Sequence, residues 1–245
     1  MKTPHTRQAV QSIVVPTATG SPFRSPTDRL SSDEARRIAR AIRPWLDEYA
    51  DRYDQKKYWP KVYTSVRREF GQPAGASPDA IRDALRWKWG HLSKPAFPAA
   101  HARLIAQIQD GWSDAVAALP VSTVGAFEEL DARFGPNRFI TVAFLLHLLR
   151  PLSVPIVDQH NFRAVNSLIR QVRPSWQSKT MPTRYRDLET VAMFMAAVLK
   201  GWRQSMPASA PSSRRLDKFL MMYGKALKPG SARGRVTRSP LDSTC

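Results

Sequence analysis

The segment that decides the fold is residues 138–172, which read RFITVAFLLHLLRPLSVPIVDQHNFRAVNSLIRQV. The apolar stretch up to Leu149 indicates a buried helix. A connection bounded by two prolines follows, and apolar residues then return at helical spacing just after Asp158. An aspartate directly before such a pattern is a common helix N-cap. The segment therefore predicts two consecutive helices joined by a short loop, with Asp158 at the start of the second.

The same helical spacing continues on both sides of this segment. Ser31-Ser32-Asp33-Glu34 fits a capping box, and Ser77-Pro78-Asp79 combines an N-cap with proline at the first helical position. No run alternates with period two over the length of a strand. We therefore predict an all-α protein. Its helices are expected at about residues 31–53, 58–70, 77–89, 98–116, 121–134, 138–149, 158–172, 183–204 and 213–227.

The two ends of the chain differ from the rest in composition. Residues 1–27 contain no acidic residue and are rich in Ser, Thr and Pro, and the segment from Lys228 contains Gly, Pro and Arg. Such compositions favour disorder, and the first segment lacks the amphipathic helix of a targeting sequence. We expect a disordered basic arm over 1–30, a compact bilobal helical bundle over 31–227, and a disordered basic tail over 228–245.

The charge of the chain indicates a polyanionic partner. The sequence has 38 Lys and Arg against 20 Asp and Glu, a formal net charge of +18. Such an excess favours nucleic acid through counterion release and electrostatic steering. An anionic membrane surface is the rival partner, and a basic protein with no polyanionic ligand is the plainest alternative. No apolar stretch approaches the roughly 20 residues that span a bilayer.

Several cofactor classes have no sequence support. The only cysteine is Cys245, which excludes a disulfide, a zinc finger and a four-cysteine iron–sulfur cluster within one chain. The phosphate-binding Gly-Lys-Ser/Thr loop, the dinucleotide fingerprint and the His-Glu-x-x-His motif are also missing. We expect an intracellular monomer that binds DNA and uses no cofactor, metal or membrane partner.

Two segments flanking the apolar helix carry the chemistry. Gly135-Pro136-Asn137 breaks the chain between two predicted helices, and Val157-Asp158-Gln159-His160-Asn161-Phe162-Arg163 opens the next. Their order resembles the helix-hairpin-helix DNA glycosylase superfamily, which includes endonuclease III-like and 8-oxoguanine glycosylase-like enzymes. In that family a Gly-rich hairpin is followed by a helix and then by an apolar-Pro-Val-Asp-x-His-x-x-Arg segment. The resemblance covers about residues 130–170.

The resemblance implies that Asp158 is catalytic. Cleavage of an N-glycosidic bond builds positive charge on the deoxyribose, as in glycoside hydrolysis. A fixed carboxylate stabilises that charge and can activate the attacking water. The simpler interpretation is that Asp158 is only an N-cap, and the two roles are compatible. His160 is better suited to a structural hydrogen bond than to proton transfer.

The resemblance also implies DNA contacts. Hairpin N–H groups in the family bind a phosphate, which points here to Gly135, Asn137 and Arg138. Asn137 stands where the family has a second glycine, so the helix-hairpin-helix element is degenerate, and a plain helix-ending turn is the alternative. On the following helix, Arg163 and Arg170 are candidates for phosphate binding together with Asn166 and Ser167. Alternatively, Arg163 braces the turn by pairing with a carboxylate.

Strand cleavage is not expected from this resemblance. Some family members form a Schiff base through a lysine on the helix after the hairpin, and the corresponding position here is Phe139 or Ile140. Neither side chain is a nucleophile. The resemblance therefore implies a monofunctional glycosylase that leaves an abasic site, unless an amine elsewhere substitutes.

The base pocket is the least determined part of the site. Base flipping requires an apolar or aromatic slot with hydrogen-bonding groups, and Trp87, Lys88 and Trp89 mix both kinds of side chain. Two tryptophans at this spacing cannot face the same way on a helix, so packing in the core is the alternative for the cluster. For the whole protein, the alternative function is a non-catalytic helical DNA-binding protein that retains the glycosylase scaffold.

Overall fold

The computed structural model describes residues 29–53, 58–72, 75–92, 94, 97–135 and 138–228, and within these ranges it contains helices and no strands. The prediction of an all-α protein is confirmed. The predicted arm and tail lie almost wholly outside the described residues. The helices are α1 Ser32–Ile42, α2 Leu46–Asp51, α3 Pro60–Phe70, α4 Pro78–Lys88, α5 Ala99–Ala117, α6 Thr123–Phe134, α7 Phe139–Leu149, α8 Gln159–Val172, α9 Tyr185–Ser205 and α10 Ser213–Ala226.

The helix starts follow the predicted caps. Ser31 Oγ accepts from the Glu34 N–H at 3.1 Å while the Glu34 carboxylate accepts from the Ser31 N–H at 2.7 Å, which completes a capping box. Ser77 Oγ accepts from the Ala80 N–H at 3.1 Å, directly before Pro78. Local side-chain chemistry therefore sets where α1 and α4 begin.

The prediction of one helix over residues 31–53 is wrong. A 3-10 turn at Arg43–Trp45 separates α1 from α2, and Pro44 lies at its centre. Proline has no backbone N–H to donate and its ring clashes with the preceding helical turn. The interruption gives two helices, so that α2 packs against α10 while α1 packs against α9.

Contacts between the described helices divide them into two sets. In the central set, α3 to α7 pack mainly on their neighbours in the chain, and α3 also contacts α7. In the terminal set, α1 and α2 pack against α8, α9 and α10, which come from the other end of the sequence. The buried apolar side chains of both sets form one continuous core. The two sets therefore meet across a shared apolar interior.

Helix α7 is the most buried element of the central set. Nine of its 11 residues are buried, which explains its almost unbroken apolar sequence. The loop after α7 leads directly to the start of α8. None of the helices in the described ranges is both long and apolar enough to cross a bilayer.

Helices α8 and α10 approach each other closely at Gly224. A Cβ atom on Gly224 would lie 1.8 Å from the backbone oxygen of His160, so no larger residue fits without displacing one of the helices. Arg163 Nη1 also donates to the Gly224 carbonyl at 3.0 Å. This contact fixes the first turn of α8, which follows Asp158, against α10.

Candidate functional site

Asp158 is the N-cap of α8, as its position in the sequence predicts. Its backbone is extended, and its Oδ1 accepts from the N–H groups of His160 at 2.7 Å and Asn161 at 3.0 Å. The positive end of the helix dipole also stabilises a carboxylate at this position. The second oxygen, Oδ2, faces α4. Backbone donors therefore fix the carboxylate through Oδ1, and Oδ2 is directed towards Lys88 at the end of α4.

Asn161 connects this turn to α10. Its Oδ1 accepts from the Asp158 N–H at 2.8 Å, and its Nδ2 donates to Ile156 O at 2.6 Å and to Asp217 Oδ1 at 3.3 Å. An amide side chain can make all three contacts because it carries both an acceptor and two donors. Asn161 thereby completes the capping box and places Asp217 beside the start of α8.

Lys88, the last residue of α4, brings a cation to the same place. Its side chain is only 5% exposed, and Nζ lies 3.9 Å from Asp158 Oδ2. Nζ also donates to the Val157 carbonyl at 3.2 Å and lies 5.5 Å from the centre of the Phe144 ring. Burial lowers the pKa of Lys88, and the nearby charges of Asp158 and Asp217 act in the opposite direction.

Asp217 on α10 is the second carboxylate of the site. Burial raises its pKa to about 6, and the charge of Asp158 adds to this effect. The Asn161 hydrogen bond and the charges of Lys88 and Arg214 oppose the increase. The cluster therefore contains one lysine and two carboxylates, and one of these carboxylates, Asp217, titrates close to neutral pH.

These side chains surround a small pocket next to a larger cavity. The pocket has a volume of about 20 Å³, which suits one water molecule. The cavity has a volume of about 450 Å³, within the range of small-molecule sites. Lys88, Asp158, Asn161 and Met221 line the pocket but not the cavity. The walls that the two spaces share are Tyr53, Tyr58, Trp87, Ile156 and Asp217.

A buried histidine fixes one wall of the cavity. The His147 Nδ1 lies 2.6 Å from Val154 O, and its Nε2 lies 2.6 Å from the Tyr63 hydroxyl. Burial lowers the pKa of His147 to about 4, so the ring is neutral at physiological pH. A neutral ring that donates from Nδ1 to a carbonyl accepts at Nε2, and the Tyr63 hydroxyl is therefore the donor.

The three candidate base-pocket residues do not stay together. Trp87 is buried, stacks on Phe144 with centroids 5.7 Å apart, and lines both the pocket and the cavity. Lys88 lines the pocket beside Asp158. Trp89 faces elsewhere and stacks on His101 at 4.2 Å. The structure thus separates the two tryptophans, as their spacing on one helix requires.

The hairpin between α6 and α7 lies at the other end of α7 from the Asp158 loop. Gly135 has a φ of +103°, a conformation that favours glycine. Arg138 is held internally, since its Nη1 donates to Phe134 O and to Gln107 Oε1, both at 2.7 Å. Asn137 lies outside the described residues. The hairpin residues are therefore not among those that the fold gathers around Asp158.

The candidate phosphate-binding residues of α8 occupy different environments. Arg170 is exposed, whereas Arg163 reaches the backbone of α10 instead of a carboxylate. Asn166 is buried, donates to Phe162 O and accepts from Trp176 Nε1, so the expectation that it faces a phosphate is wrong. Burial lowers the pKa of His160, which lies against Gly224. Ser167 is half-buried, and Arg170 is the most exposed of the four candidates.

The sequence did not identify Asp217 and Asn161 as site residues, nor Tyr53 and Tyr58, which line both the pocket and the cavity. Asp217 follows Arg214-Arg215-Leu216 and precedes Lys218, so it has the appearance of one charge on a solvated face. One signal for Asp217 exists in the sequence. Met221 follows it by four residues, so both lie on the same face of a helix, and both line the pocket. Asn161 has a clearer signal, because it occupies the third helical position after Asp158, where a capping box places a reciprocal side chain.

No group of three or more His, Cys, Asp and Glu side chains is placed to hold a metal ion in the part of the chain that the structure describes. Comparison of the chain with protein-family models, with curated proteins and with solved structures finds no match in any of the three.

Proposed function

We propose that this protein is a DNA base-excision glycosylase that hydrolyses the N-glycosidic bond of a damaged or modified base. The observation that carries the proposal is the position of Asp158. Asp158 belongs to the segment that resembles the helix-hairpin-helix DNA glycosylases, and it lines a pocket that holds one water molecule. That pocket adjoins a cavity large enough for a base.

The geometry supports a specific role for the carboxylate. As the C1′–N bond breaks, its electron pair leaves with the base and positive charge develops on the deoxyribose. Asp158 Oδ2 stabilises that charge, while Oδ1 is held by backbone donors. A water in the small pocket attacks C1′ and passes its proton to a carboxylate. Lys88 Nζ lies 3.9 Å from Oδ2 and places a buried amine beside the carboxylate.

The surroundings of the cavity suit a nucleotide extruded from a duplex. A flipped base needs aromatic side chains against which to pack, and Tyr53 and Tyr58 line the cavity. Arg67, Arg214 and Lys218 also line the cavity and offer positive charge to the flanking phosphates. The net charge of +18 gives the long-range attraction to DNA.

The decisive variant is Asp158→Asn. Asparagine retains the N-cap acceptor, so α8 keeps its start, but the negative charge is lost. We expect base release to fall by at least about 100-fold while DNA binding is unchanged. Duplexes containing uracil, oxidised purines, alkylated purines or hypermodified pyrimidines are incubated with the protein, and abasic sites are then revealed by alkali or heat.

A matched control is Asp79→Asn, which removes an exposed carboxylate from the first turn of α4, where it pairs with Arg82. This variant should release bases at the wild-type rate. Full activity of Asp158→Asn would show that the assigned mechanism is wrong. Salt-sensitive DNA binding without base release from any duplex would instead support the non-catalytic DNA-binding protein.

A further inference from the structure

We propose that the base this protein removes carries an extended substituent with an anionic end, and that the substituent lies in a groove between α1 and α9. The inference rests on the proposed function, because it names the class of substrate for the same site. It concerns the surface beyond the cavity, which the removal of a small base does not use.

The cavity beside the Asp158 pocket is larger than a nucleobase requires. Its volume of about 450 Å³ falls in the range of sites that enclose a drug-sized molecule, whereas a nucleobase is a single flat ring system. Tyr53 and Tyr58 line the cavity, and so do Ala192, Met195 and other residues of α9. A base that packs against the tyrosines therefore leaves room on the α9 side.

A second space adjoins the cavity on that side. The groove between α1 and α9 has a volume of about 420 Å³. Ser153, Ala192 and Ala196 line both the cavity and the groove, so they lie at the boundary between the two. One hydroxymethyl group and two methyl groups are too short to form a barrier. The groove is therefore accessible to a substituent that extends from a base in the cavity.

One face of α9 forms a wall along which such a substituent would lie. The residues that line the groove from this face follow one another at intervals of four: Ala192, Ala196, Lys200 and Gln204. With a rise of about 1.5 Å per residue, Lys200 follows Ala196 by about 6 Å along the helix axis. An extended chain of about five atoms spans that distance. The wall is apolar next to the cavity, and the following turns offer a cation and then an amide.

The charges along the groove favour an anionic end on the substituent. Among the described residues that line it, Arg29 and Lys200 are cations and none is acidic. Lys200 is exposed, and its flexible four-carbon stem lets the ammonium reach along the groove. Ser31 and Ser32, at the start of α1, line the groove as well, and the positive end of the α1 dipole lies there. A carboxylate would be attracted at this end, and an ammonium would be repelled.

Three duplexes that differ only in the target base test the charge preference. They contain uracil, uracil with a C5 chain ending in a carboxylate, or uracil with the same chain ending in a carboxamide, and base release and affinity are both measured with the full chain. We expect the wild type to favour the carboxylate over the carboxamide by about three- to fivefold, as for an exposed ion pair. Lys200→Ala should abolish this preference and leave uracil unaffected. Lys61→Ala, which changes an exposed lysine of α3, should retain the preference.

Ala196→Trp tests the path between the cavity and the groove. Ala196 is exposed, so the larger side chain leaves the core intact, but its indole fills the boundary. We expect release of both C5-substituted bases, and affinity for their duplexes, to fall by at least about tenfold. The values for uracil should change by less than about twofold, as for most surface substitutions. Ala106→Trp, on an exposed position of α5, should leave all three duplexes unchanged.

The two measurements separate the inference from the proposed function. Release of uracil with no preference for either substituted base would leave the glycosylase in place and overturn the inference. Tighter binding of the carboxylate duplex that both variants lose, without release of any base, would support the groove and remove the glycosylase. If Ala196→Trp affects all three duplexes alike, or none of them, the substituent does not follow the groove. The inference is then overturned, and the groove is left for a segment of protein.

Discussion

Lys88, Asp158 and Asp217 converge on one small pocket with one positive charge for two carboxylates. Asp158 has the backbone donors of α8 and the ammonium of Lys88 on its two oxygens. Asp217 has the Asn161 amide and lies near Arg214. Asp217 is the more deeply buried acid, and burial raises its pKa to about 6. An acid whose pKa is raised in this way is typical of a proton-transfer role.

The pH dependence of stability should report on Asp217. Its pKa of about 6 in the folded protein lies above the ordinary 3.8, so the folded state binds this proton more tightly than the unfolded state. The resulting stabilisation is complete below about pH 4 and is lost as the pH rises through about 6. Asp217→Asn should therefore be more stable than the wild type at pH 8, by about 3 kcal/mol, and the difference should vanish at pH 4.

Urea denaturation at several pH values measures this difference. Asparagine still accepts from Asn161 Nδ2, so the hydrogen bond survives in the variant. Asp114→Asn, which changes an exposed acid of α5, should show no such trend. A pH-independent difference between wild type and Asp217→Asn would mean that the carboxyl group is not destabilised by ionisation in the folded protein.

Single residues of the site differ in how visible they are in the sequence. Asp158 is predictable, because an N-cap and its neighbours are local features. Lys88 stands out beside two tryptophans, but its proximity to Asp158 is a contact between distant segments and leaves no local trace. Asp217 looks like a surface charge because the charged residues Arg214, Arg215 and Lys218 surround it in the sequence. Only the packing of α10 against α8 turns it towards the pocket.

The packing of α8 against α10 is the element-level contact on which the site depends. Gly224→Ala would place a methyl group 1.8 Å from His160 O, so the two helices must separate. We expect a loss of about 3 kcal/mol in the free energy of unfolding, measured by urea denaturation, because overpacking of a close contact displaces backbone. Base release should fall as well, since the first turn of α8 moves with His160.

The matched control for this substitution is Gly71→Ala. A Cβ atom at Gly71 would meet its nearest atom at an ordinary 3.5 Å, and the φ of this residue is −83°. Its stability should remain within about 0.5 kcal/mol of the wild type, as for most substitutions away from special contacts. Equal stability of the two variants would contradict the close approach of α8 and α10.

Most helix limits lie within one or two residues of the sequence prediction, because caps and proline positions act locally. The exception is the break between α1 and α2. Pro44 is visible in the sequence, but Ile38, Ile42, Trp45 and Tyr49 keep helical spacing across it. A 3-10 turn preserves that apolar face while the helix axis is interrupted. Periodicity alone therefore cannot separate one kinked helix from two.

At the scale of the whole molecule, positive charge should dominate DNA affinity. We expect the logarithm of the binding constant to fall linearly with the logarithm of salt concentration. Arg67→Ala and Arg214→Ala, at the cavity wall, should each weaken binding and reduce the magnitude of that slope by about 1. Fluorescence anisotropy with a labelled duplex at several salt concentrations measures both quantities.

Lys200→Ala provides the comparison, because this exposed residue of α9 lines a different groove, between α1 and α9. It should leave the slope close to that of the wild type. If all three variants change the slope equally, the DNA contacts are spread over the surface and are not centred on the cavity.

The all-α class follows from periodicity, but the arrangement of the helices does not. The terminal set pairs α1 with α9 and α2 with α10, which are separated by most of the chain. Apolar faces show that a helix is buried, but not which helix covers it. The site lies where the two sets meet, with Lys88 from the central set and Asp158 and Asp217 from the terminal set. Asp158 and Lys88 could be singled out from the sequence, but the fact that they lie together with Asp217 could not.

The division into two sets also has a consequence for synthesis. As the chain leaves the ribosome, α3 to α7 can pack on neighbours that are already present, since their contacts are short in sequence. Helices α1 and α2 must wait for α8 to α10 and close a long loop before they are covered. Lys88 therefore acquires Asp217 only in the last step, when α10 packs, and a nascent chain that stalls before α10 leaves this lysine with Asp158 as its one carboxylate at the site.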